Sequence, residues 1–187
     1  VLYVLNHGAA LLDPIVLRIA TRRPVRFLGK STLFANPVSR FTMQSFGGIP
    51  IYRRQDAQQG GGDPSQNERT FALCREALGR GESLALFPEG VSHADARLKP
   101  LKTGAARIAL SALSASEGAA RGLRVVPVGI AYEDRATFRS RAFVQIGPPM
   151  DPSVYLEAYR TNEHAAVNAL TAQLARALAS VLPQADT

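Results

Sequence analysis

Apolar residues follow two patterns along this chain, and the two patterns alternate. Short apolar runs predict strands, and apolar residues spaced three and four apart predict helices with one buried face. The predicted strands are residues 1–5, 25–28, 49–53, 83–87, 124–132 and 142–146. The predicted helices are residues 14–20, 37–46, 63–78, 103–113 and 162–182, with a helical tail starting at 151–152. The alternation predicts an α/β fold with a central, largely parallel or mixed sheet flanked by helices.

Three segments carry more specific expectations. Residues 55–62 are rich in glutamine and glycine and are predicted to form a flexible loop. Pro127 interrupts an apolar strand, where proline is expected at a sheet edge or at an irregularity. The last helix is expected to pack on the sheet through one apolar face. That face consists of Val167, Leu170, Leu174, Leu178 and Val181.

Length and composition indicate a single globular domain covering residues 1–187. The one cysteine, Cys74, excludes an internal disulfide and a thiolate metal cluster. No run approaches 18 apolar residues, so no transmembrane helix is predicted in this sequence.

The formal net charge is +7, and only three of the 22 basic residues are lysines. This surplus favours an anionic partner such as a phosphorylated metabolite or an anionic membrane surface. The arginines are dispersed and rarely alternate with aromatic residues, which argues against nucleic acid as the partner. A solvated, arginine-rich surface explains the same composition without any partner.

His7 and Asp13 form the first candidate pair for catalysis. His7 follows the first predicted strand, and a histidine takes up a proton near neutral pH because its ordinary pKa is about 6.5. Asp13, if folded back onto the other ring nitrogen, would fix the tautomer of His7 and stabilise the imidazolium. The alternative is purely structural, because Asp13-Pro14 is also a typical helix start with the aspartate as N-cap.

The second motif runs from Gly47 to Arg54. Its glycines allow close approach of a ligand to the backbone, and its strand leads to Arg53 and Arg54. Arginine binds phosphate in a bidentate manner and stays charged at physiological pH. An edge strand with solvated arginines is the alternative.

The third motif, Leu86 to His93, ends a buried strand with Pro-Glu-Gly. Glu89 is placed to bind an acceptor hydroxyl or to pair with an arginine of the second motif. A metal site joining His93 to His7, Asp13 and Glu89 has no supporting ligand spacing, so no metal is predicted. Downstream, Lys102 and the helix start at residues 103–104 suit anionic groups.

Taken in order, these motifs resemble the glycerolipid acyltransferase family, and the resemblance spans residues 7–127. His7 and Asp13 are similar to the family's histidine–aspartate block in its five-residue spacing. Residues 48–53 resemble the Gly-x-Ile-x-Ile-x-Arg block, and residues 87–90 match Phe-Pro-Glu-Gly. Residues 98–104 resemble a Leu-x-x-x-Lys-x-Gly stretch, and residues 126–128 resemble the apolar block containing proline.

The resemblance implies that His7 is a general base oriented by Asp13, with no metal and no cofactor. It implies a substrate site formed by Gly48, Ile51, Arg53, Arg54, Glu89, Gly90, Lys102 and Pro127. The implied reaction moves an acyl group from acyl-CoA or acyl-carrier protein to a hydroxyl of lysophosphatidic acid (1-acylglycerol-3-phosphate) in phospholipid biosynthesis. Backbone amides near Gly8, or at the helix start beside Asp13, are candidates for an oxyanion hole.

Other interpretations stay open at this point. The five-residue spacing and the Gly-Val-Ser-His continuation resemble the glycerol-3-phosphate or dihydroxyacetone-phosphate branch, and Tyr52 replaces a common acidic residue. A serine hydrolase using Ser92 with His7 or His93, and an inactive phospholipid-binding module, are the remote alternatives. The family's N-terminal membrane-dipping helices are absent from this chain. We therefore expect a peripheral protein on the cytoplasmic face of a membrane, or one anchored by segments beyond this chain.

Overall fold

The computed structural model describes residues 1–52, 67–91, 98–115, 120–134, 137 and 139–182. The strands in these residues are β1 (Leu2–Leu5), β2 (Val25–Lys30), β3 (Gly48–Ile51), β4 (Ser83–Leu86), β5 (Val125–Tyr132) and β6 (Ala142–Ile146). The helices are α1 (Leu12–Thr21), α2 (Pro37–Ser45), α3 (Asn67–Gly79), α4 (Gly104–Ala115), α5 (Leu156–Thr161) and α6 (Glu163–Ser180). Two 3₁₀ segments cover Ser31–Phe34 and Pro152–Tyr155.

The strands form one sheet in the order β3-β2-β4-β1-β5-β6. Strands β1 to β5 pair in parallel, and β6 pairs antiparallel with β5. The predicted α/β fold with a mixed, largely parallel sheet is therefore confirmed. Because β4 lies between β1 and β2, the segments that follow these three strands meet at one edge of the sheet.

The core divides into two layers, one on each face of the sheet. On one face, side chains of α3, α4 and α6 pack on β1 and β4, with Leu2, Leu84 and Leu170 fully buried. On the other face, Leu17 of α1 packs against a smaller cluster from β1, β2 and β5. The second face is thus covered more thinly, chiefly by the short helices α1 and α2.

The C-terminal helix behaves as its spacing predicts. All five residues of its predicted apolar face are buried in the larger layer of the core. Asn162 caps the helix, and its side chain accepts a hydrogen bond from the amide of Ala165 at 3.0 Å. Fully burying a side chain of this size stabilises a fold by about 1.5–3 kcal/mol, so α6 closes the core.

The start of α1 and one short 3₁₀ segment differ from the predictions. Helix α1 begins at Leu12, and Asp13 lies inside its first turn, so the interpretation of Asp13 as N-cap is wrong. The carboxylate points back to residues that precede the helix instead. The 3₁₀ segment Ser31–Phe34 was not predicted, because a single short turn leaves no periodic signal.

Pro127 lies in β5, which is not an edge strand, but it sits beside an irregularity. Val128 pairs with Ile146 and Val125 with Met150, so two residues of β5 face three residues of the partner segment. This is a β-bulge, and the missing N–H of proline costs no regular ladder bond there. The irregularity predicted for Pro127 is confirmed.

None of the helices in the described part of the chain is both long and apolar enough to cross a membrane.

Candidate active site

The first and third predicted motifs meet at the edge of the sheet where the parallel strands β1 and β4 end. His7 follows β1 by two residues, and Glu89 follows β4 by three. Strand β1 pairs with both β4 and β5, which places the end of β1 in the middle of the sheet. Loops beyond the carboxyl ends of such strands are the usual location of ligand sites in α/β folds.

His7 and Asp13 are in direct contact. Nδ1 of His7 lies 2.8 Å from Oδ2 of Asp13, so the ring donates its Nδ1 proton to the carboxylate. The side chain of His7 is 20% exposed, whereas that of Asp13 is fully buried. Nε2 of His7 has no hydrogen-bond partner among the described residues. The contact fixes the tautomer in which Nε2 is free to accept a proton.

Two groups besides the ring of His7 hold the carboxylate of Asp13. The amide of Ala9 donates to both of its oxygens, at 3.2 and 3.0 Å. The hydroxyl of Tyr132, at the end of β5, donates to Oδ1 at 2.7 Å. A buried carboxylate keeps its charge only when such donors replace its water. The network therefore maintains a charged Asp13 in a fixed orientation behind His7.

Tyr132 is a residue that the motifs did not indicate, and its contact leads to a prediction. Tyr132→Phe removes a hydrogen bond to a charged group, which is worth about 1.5–3 kcal/mol. We expect kcat to fall by about tenfold or more, with both KM values nearly unchanged, because Tyr132 contacts Asp13 and is not among the residues that line the pocket beside His7. Steady-state kinetics measure this change.

Tyr155→Phe is the matched control, because its hydroxyl donates to Oε1 of Gln173 at 2.8 Å, in the helical tail. Equal losses of kcat in both variants, or a change in KM alone for Tyr132→Phe, would contradict the positioning role.

Two further contacts hold the loop that carries His7. The ring of Phe87 stacks on the imidazole, with centroids 4.2 Å apart and planes 30° apart. Asn6 bridges the ends of β1 and β5, because its side chain donates to the carbonyl of Ile130 at 2.9 Å and accepts from that residue's amide at 2.8 Å. The imidazole is thus fixed both by its neighbours and by its backbone.

Glu89 is buried, and both of its carboxylate oxygens accept hydrogen bonds from backbone amides. It is 3% exposed, and Oε1 accepts from the amide of His7 at 3.1 Å. Oε2 accepts from the amide of Lys99 at 2.8 Å. Glu89 therefore ties the loop after β4 to the loop after β1. An acceptor hydroxyl would have to compete with these two amides.

A cleft of about 920 Å³ opens in front of His7. Its walls come from the ends of β1, β2 and β4, from the starts of α1 and α4, and from one side of α3. Apolar side chains form much of it, among them Leu28, Leu33, Ile51, Phe71, Leu86 and Ile108. The cleft is large enough and apolar enough to hold the alkyl chain of a ligand.

The cleft also contains cationic groups, provided by Lys30, Lys102 and Arg107. Lys102 lies across Gly90, where a Cβ would come within 2.6 Å of the ammonium nitrogen. Gly90 also has a φ of +72°, which L side chains rarely adopt. Gly90 is thus required both by its backbone angle and by the path of Lys102. The combination of apolar and cationic walls suits a ligand with an alkyl chain and an anionic group.

The other described residues of the predicted site do not all line the cleft. Ile51 lines the cleft. Gly48 is buried beneath α2. A Cβ at this position would come within 2.8 Å of the carbonyl oxygen of Met43, so the glycine allows β3 and α2 to pack closely. Pro127 is buried, and its ring faces Gly147 at the bulge. Neither Gly48 nor Pro127 is among the described residues of the cleft wall.

Four residues named from sequence lie outside the described residues: Arg53, Arg54, Ser92 and His93. Within the described ranges, no group of three or more histidine, cysteine, aspartate and glutamate side chains is arranged to hold a metal ion.

Cys74 is fully buried in α3, and burial raises the pKa of its thiol to about 12. The thiol is therefore protonated and does not serve as a nucleophile near neutral pH.

Comparison with known proteins gives the class to which this site belongs. Residues 1–131 match the acyltransferase family. The chain therefore belongs to that family, and the resemblance to the glycerolipid acyltransferases is confirmed.

Three proteins similar in sequence to this chain are named as acyltransferases. The chain is 38% identical over 113 residues to an uncharacterized acyltransferase of Schizosaccharomyces pombe, covering 59% of this chain and 16% of the relative. It is 34% identical over 120 residues to glycerol-3-phosphate O-acyltransferase 2 of Saccharomyces cerevisiae, covering 64% and 16%. It is 31% identical over 126 residues to the chloroplastic 1-acyl-sn-glycerol-3-phosphate acyltransferase BAT2 of Brassica napus, covering 67% and 31%. The chain thus spans less than a third of the length of each relative.

A solved structure shares the fold. The 1-acyl-sn-glycerophosphate acyltransferase PlsC of Thermotoga maritima superposes with a TM-score of 0.61 at 18% sequence identity. The match covers all of this chain and 68% of the PlsC chain. At this identity the likeness concerns the arrangement of strands and helices.

Proposed function

We propose that this chain transfers a fatty acyl group from a thioester, acyl-CoA or acyl-carrier protein, to a hydroxyl of 1-acylglycerol-3-phosphate. The contact between His7 and buried Asp13 carries the proposal, because it engages Nδ1 and leaves Nε2 available as a base in a side chain that lines the cleft. Such a base contributes about 10²–10⁴ to a rate.

The proposed chemistry needs no enzyme nucleophile. Nε2 of His7 takes the proton of the acceptor hydroxyl while the hydroxyl oxygen attacks the thioester carbonyl carbon. The tetrahedral intermediate then expels the thiolate as the carbon–sulfur bond breaks. The imidazolium returns the proton to the thiolate, so that an ester and a free thiol are the products. Asp13 stabilises the imidazolium between these two proton transfers.

The cleft supports the substrate class. Its apolar walls suit the alkyl chains of a donor and of a monoacylated acceptor, and its cations suit a phosphate. Arg53 and Arg54, which the resemblance assigns to the acceptor phosphate, follow Ile51 and Tyr52 of the cleft wall in sequence.

Glycerol-3-phosphate is the second candidate acceptor. A relative at 34% identity is named for that substrate, whereas the relative at 31% identity is named for the monoacylated one. The apolar wall favours the acceptor that already carries an acyl chain, because glycerol-3-phosphate has no group to place against it.

Competition between the two acceptors tests this choice. Labelled acyl-CoA is supplied with equal concentrations of 1-acylglycerol-3-phosphate and glycerol-3-phosphate, and the labelled products are separated. We expect label chiefly in diacylglycerol phosphate. Label chiefly in monoacylglycerol phosphate would contradict this choice and show that glycerol-3-phosphate is the preferred acyl acceptor.

Lys102 gives a prediction about the phosphate. Lys102→Ala removes a cation from the cleft, and hydrogen bonds to charged groups are worth about 1.5–3 kcal/mol. We expect the KM for the acceptor to rise by about tenfold or more, with a much smaller change in the KM for the thioester. Arg176→Ala, an exposed cation on α6, is the control. Equal changes in both KM values would instead place Lys102 against the phosphates of the coenzyme.

A further inference from the structure

An arginine and an aromatic ring face each other on the wall of the cleft. The guanidinium carbon of Arg107, in the first turn of α4, lies 5.2 Å from the centre of the Phe71 ring on α3. Both residues line the cleft that His7 also lines. Arg107 is exposed, whereas Ile108 beside it lines the cleft and is buried, so Arg107 lies at the rim. A guanidinium that stacks through its face keeps the N–H donors at its edge for a phosphate.

A second arginine lies near this pair. Arg75 follows Phe71 by four residues on α3, so the two side chains share one side of that helix. Burial, and then the carboxylate of Glu163, raise the pKa of the Tyr159 hydroxyl. The positive charges of Arg107 and Arg75 act against this rise, so both arginines lie near that hydroxyl. We call Phe71, Arg75, Arg107 and Tyr159 the Arg75–Arg107 cluster.

The charge of these arginines is available to a ligand. The ion pairs within the described ranges join other residues, and neither Arg75 nor Arg107 takes part in them. In the described wall of the cleft, the three cations Lys30, Lys102 and Arg107 are accompanied by one carboxylate, that of Glu68. Cations grouped with so few acids attract an anion, and arginine is the side chain best suited to phosphate.

The proposed reaction needs cations at two places, because both substrates carry phosphate. The acceptor has its phosphate close to the reacting hydroxyl. A coenzyme A thioester has its phosphates at the far end of the pantetheine arm. Lys102 suits the first place, because it lies across Gly90. Glu89, the residue before Gly90, accepts from the amide of His7, so this cation lies beside the loop of the base.

The Arg75–Arg107 cluster suits the second place, because it begins at the cleft and continues beyond it. Phe71 and Arg107 line the cleft, whereas Arg75 and Tyr159 are not part of its described wall. Tyr159 belongs to α5, so the cluster extends from the cleft over three helices. A long ligand with its reactive end at His7 reaches this cluster with its other end.

From these observations we propose that the Arg75–Arg107 cluster binds the phosphates of the 3′-phosphoadenosine diphosphate end of a coenzyme A thioester. Two arginines match a group with several phosphates, whereas the pantetheine arm of acyl-carrier protein carries a single one. The inference rests on the proposed function for the use of a thioester donor, and it selects acyl-CoA as that donor. Binding of coenzyme A itself is measurable without any acyl transfer.

Calorimetric titration of the 187-residue chain with coenzyme A tests the cluster. We expect Arg107→Gln and Arg75→Gln each to raise the Kd for coenzyme A by about tenfold or more, because each removes hydrogen bonds between charged groups. Arg69→Gln is the matched control, because Arg69 is exposed on the same helix outside the described cleft wall. It should leave the Kd nearly unchanged. Thermal unfolding establishes that all three variants are folded.

A truncated ligand and a comparison of KM values locate the phosphates. 3′-Dephospho-coenzyme A should bind the unsubstituted chain more weakly, and the two test substitutions together should cost it less than they cost coenzyme A. In steady-state transfer, Arg107→Gln should raise the KM for acyl-CoA and leave the KM for the acceptor nearly unchanged, which is the reverse of Lys102→Ala. A rise in the acceptor KM alone would place the acceptor phosphate at the cluster and overturn the proposal.

Equal losses of coenzyme A binding in Arg107→Gln and Arg69→Gln would also overturn it. So would transfer from acyl-carrier protein by a chain that shows no binding of coenzyme A, an outcome that keeps the proposed function. If coenzyme A binding follows the prediction while no glycerol phosphate acceptor is acylated, the proposed function fails and the coenzyme A site stands.

Discussion

His7→Ala is expected to abolish acyl transfer, with a loss of at least about 10²–10⁴ in kcat. The substitution removes the only base that the structure places between Asp13 and the cleft within the described residues. The fold should survive, because His7 follows β1 and its side chain is part of the cleft wall. Asp13 keeps its hydrogen bonds from Ala9 and Tyr132. Initial rates with saturating substrates, together with thermal unfolding, measure both effects.

His164→Ala is the matched control for this substitution. His164 is exposed on α6, where its ring contacts Asn168, and it should be replaceable with no change in rate. A rate for His7→Ala within a few-fold of the unsubstituted chain would remove His7 from the mechanism.

Asp13→Asn is expected to reduce kcat by about 10²–10⁴ while leaving the domain folded. An asparagine has nearly the same shape, and its oxygen still accepts from Ala9 and Tyr132. Its amide, however, donates toward Nδ1 of His7, which favours the tautomer whose proton sits on Nε2. That tautomer cannot accept the proton of a hydroxyl. The expected loss therefore arises from the wrong proton position and not from misplacement of the ring.

Asp151→Asn provides the comparison for a carboxylate with a structural role. Asp151 caps the segment Pro152–Tyr155 by accepting from the amide of Ser153 at 3.0 Å, and asparagine caps equally well. That variant should keep its activity. Activity in Asp13→Asn close to that of Asp151→Asn would show that Asp13 only holds the loop of Ala9.

The sequence predicts the sheet and the pair His7–Asp13 because both depend on local patterns. Strand runs such as residues 1–5 and the periodic face of α6 are contained in short windows. The meeting of residues 7, 89 and 102 follows once parallel strands are assumed, because their carboxyl ends share one edge. The motif resemblance supplied the pairing of His7 with Asp13 that spacing alone left open.

What the sequence did not predict depends on contacts between distant segments. Tyr132 reaches Asp13 across 119 positions, and nothing in its own strand distinguishes it from a core residue. Glu89 was expected to bind an acceptor hydroxyl or to pair with an arginine, and the hydrogen bonds that its oxygens accept from the amides of His7 and Lys99 were not predicted. Asp13 resembled an N-cap because Asp-Pro is a common helix start. In the fold the carboxylate turns toward His7, which the motif resemblance implied and the Asp-Pro pattern did not.

The fate of a labelled acyl group tests the central claim most directly. The chain is incubated with acyl-CoA labelled in the acyl group, with and without 1-acylglycerol-3-phosphate, and the label is followed in lipid, free fatty acid and protein. We predict label in diacylglycerol phosphate when the acceptor is present, little free fatty acid without it, and none of this product from His7→Ala. Label held covalently on the protein, or fatty acid released at an equal rate without acceptor, would contradict direct transfer from thioester to hydroxyl by the His7–Asp13 base.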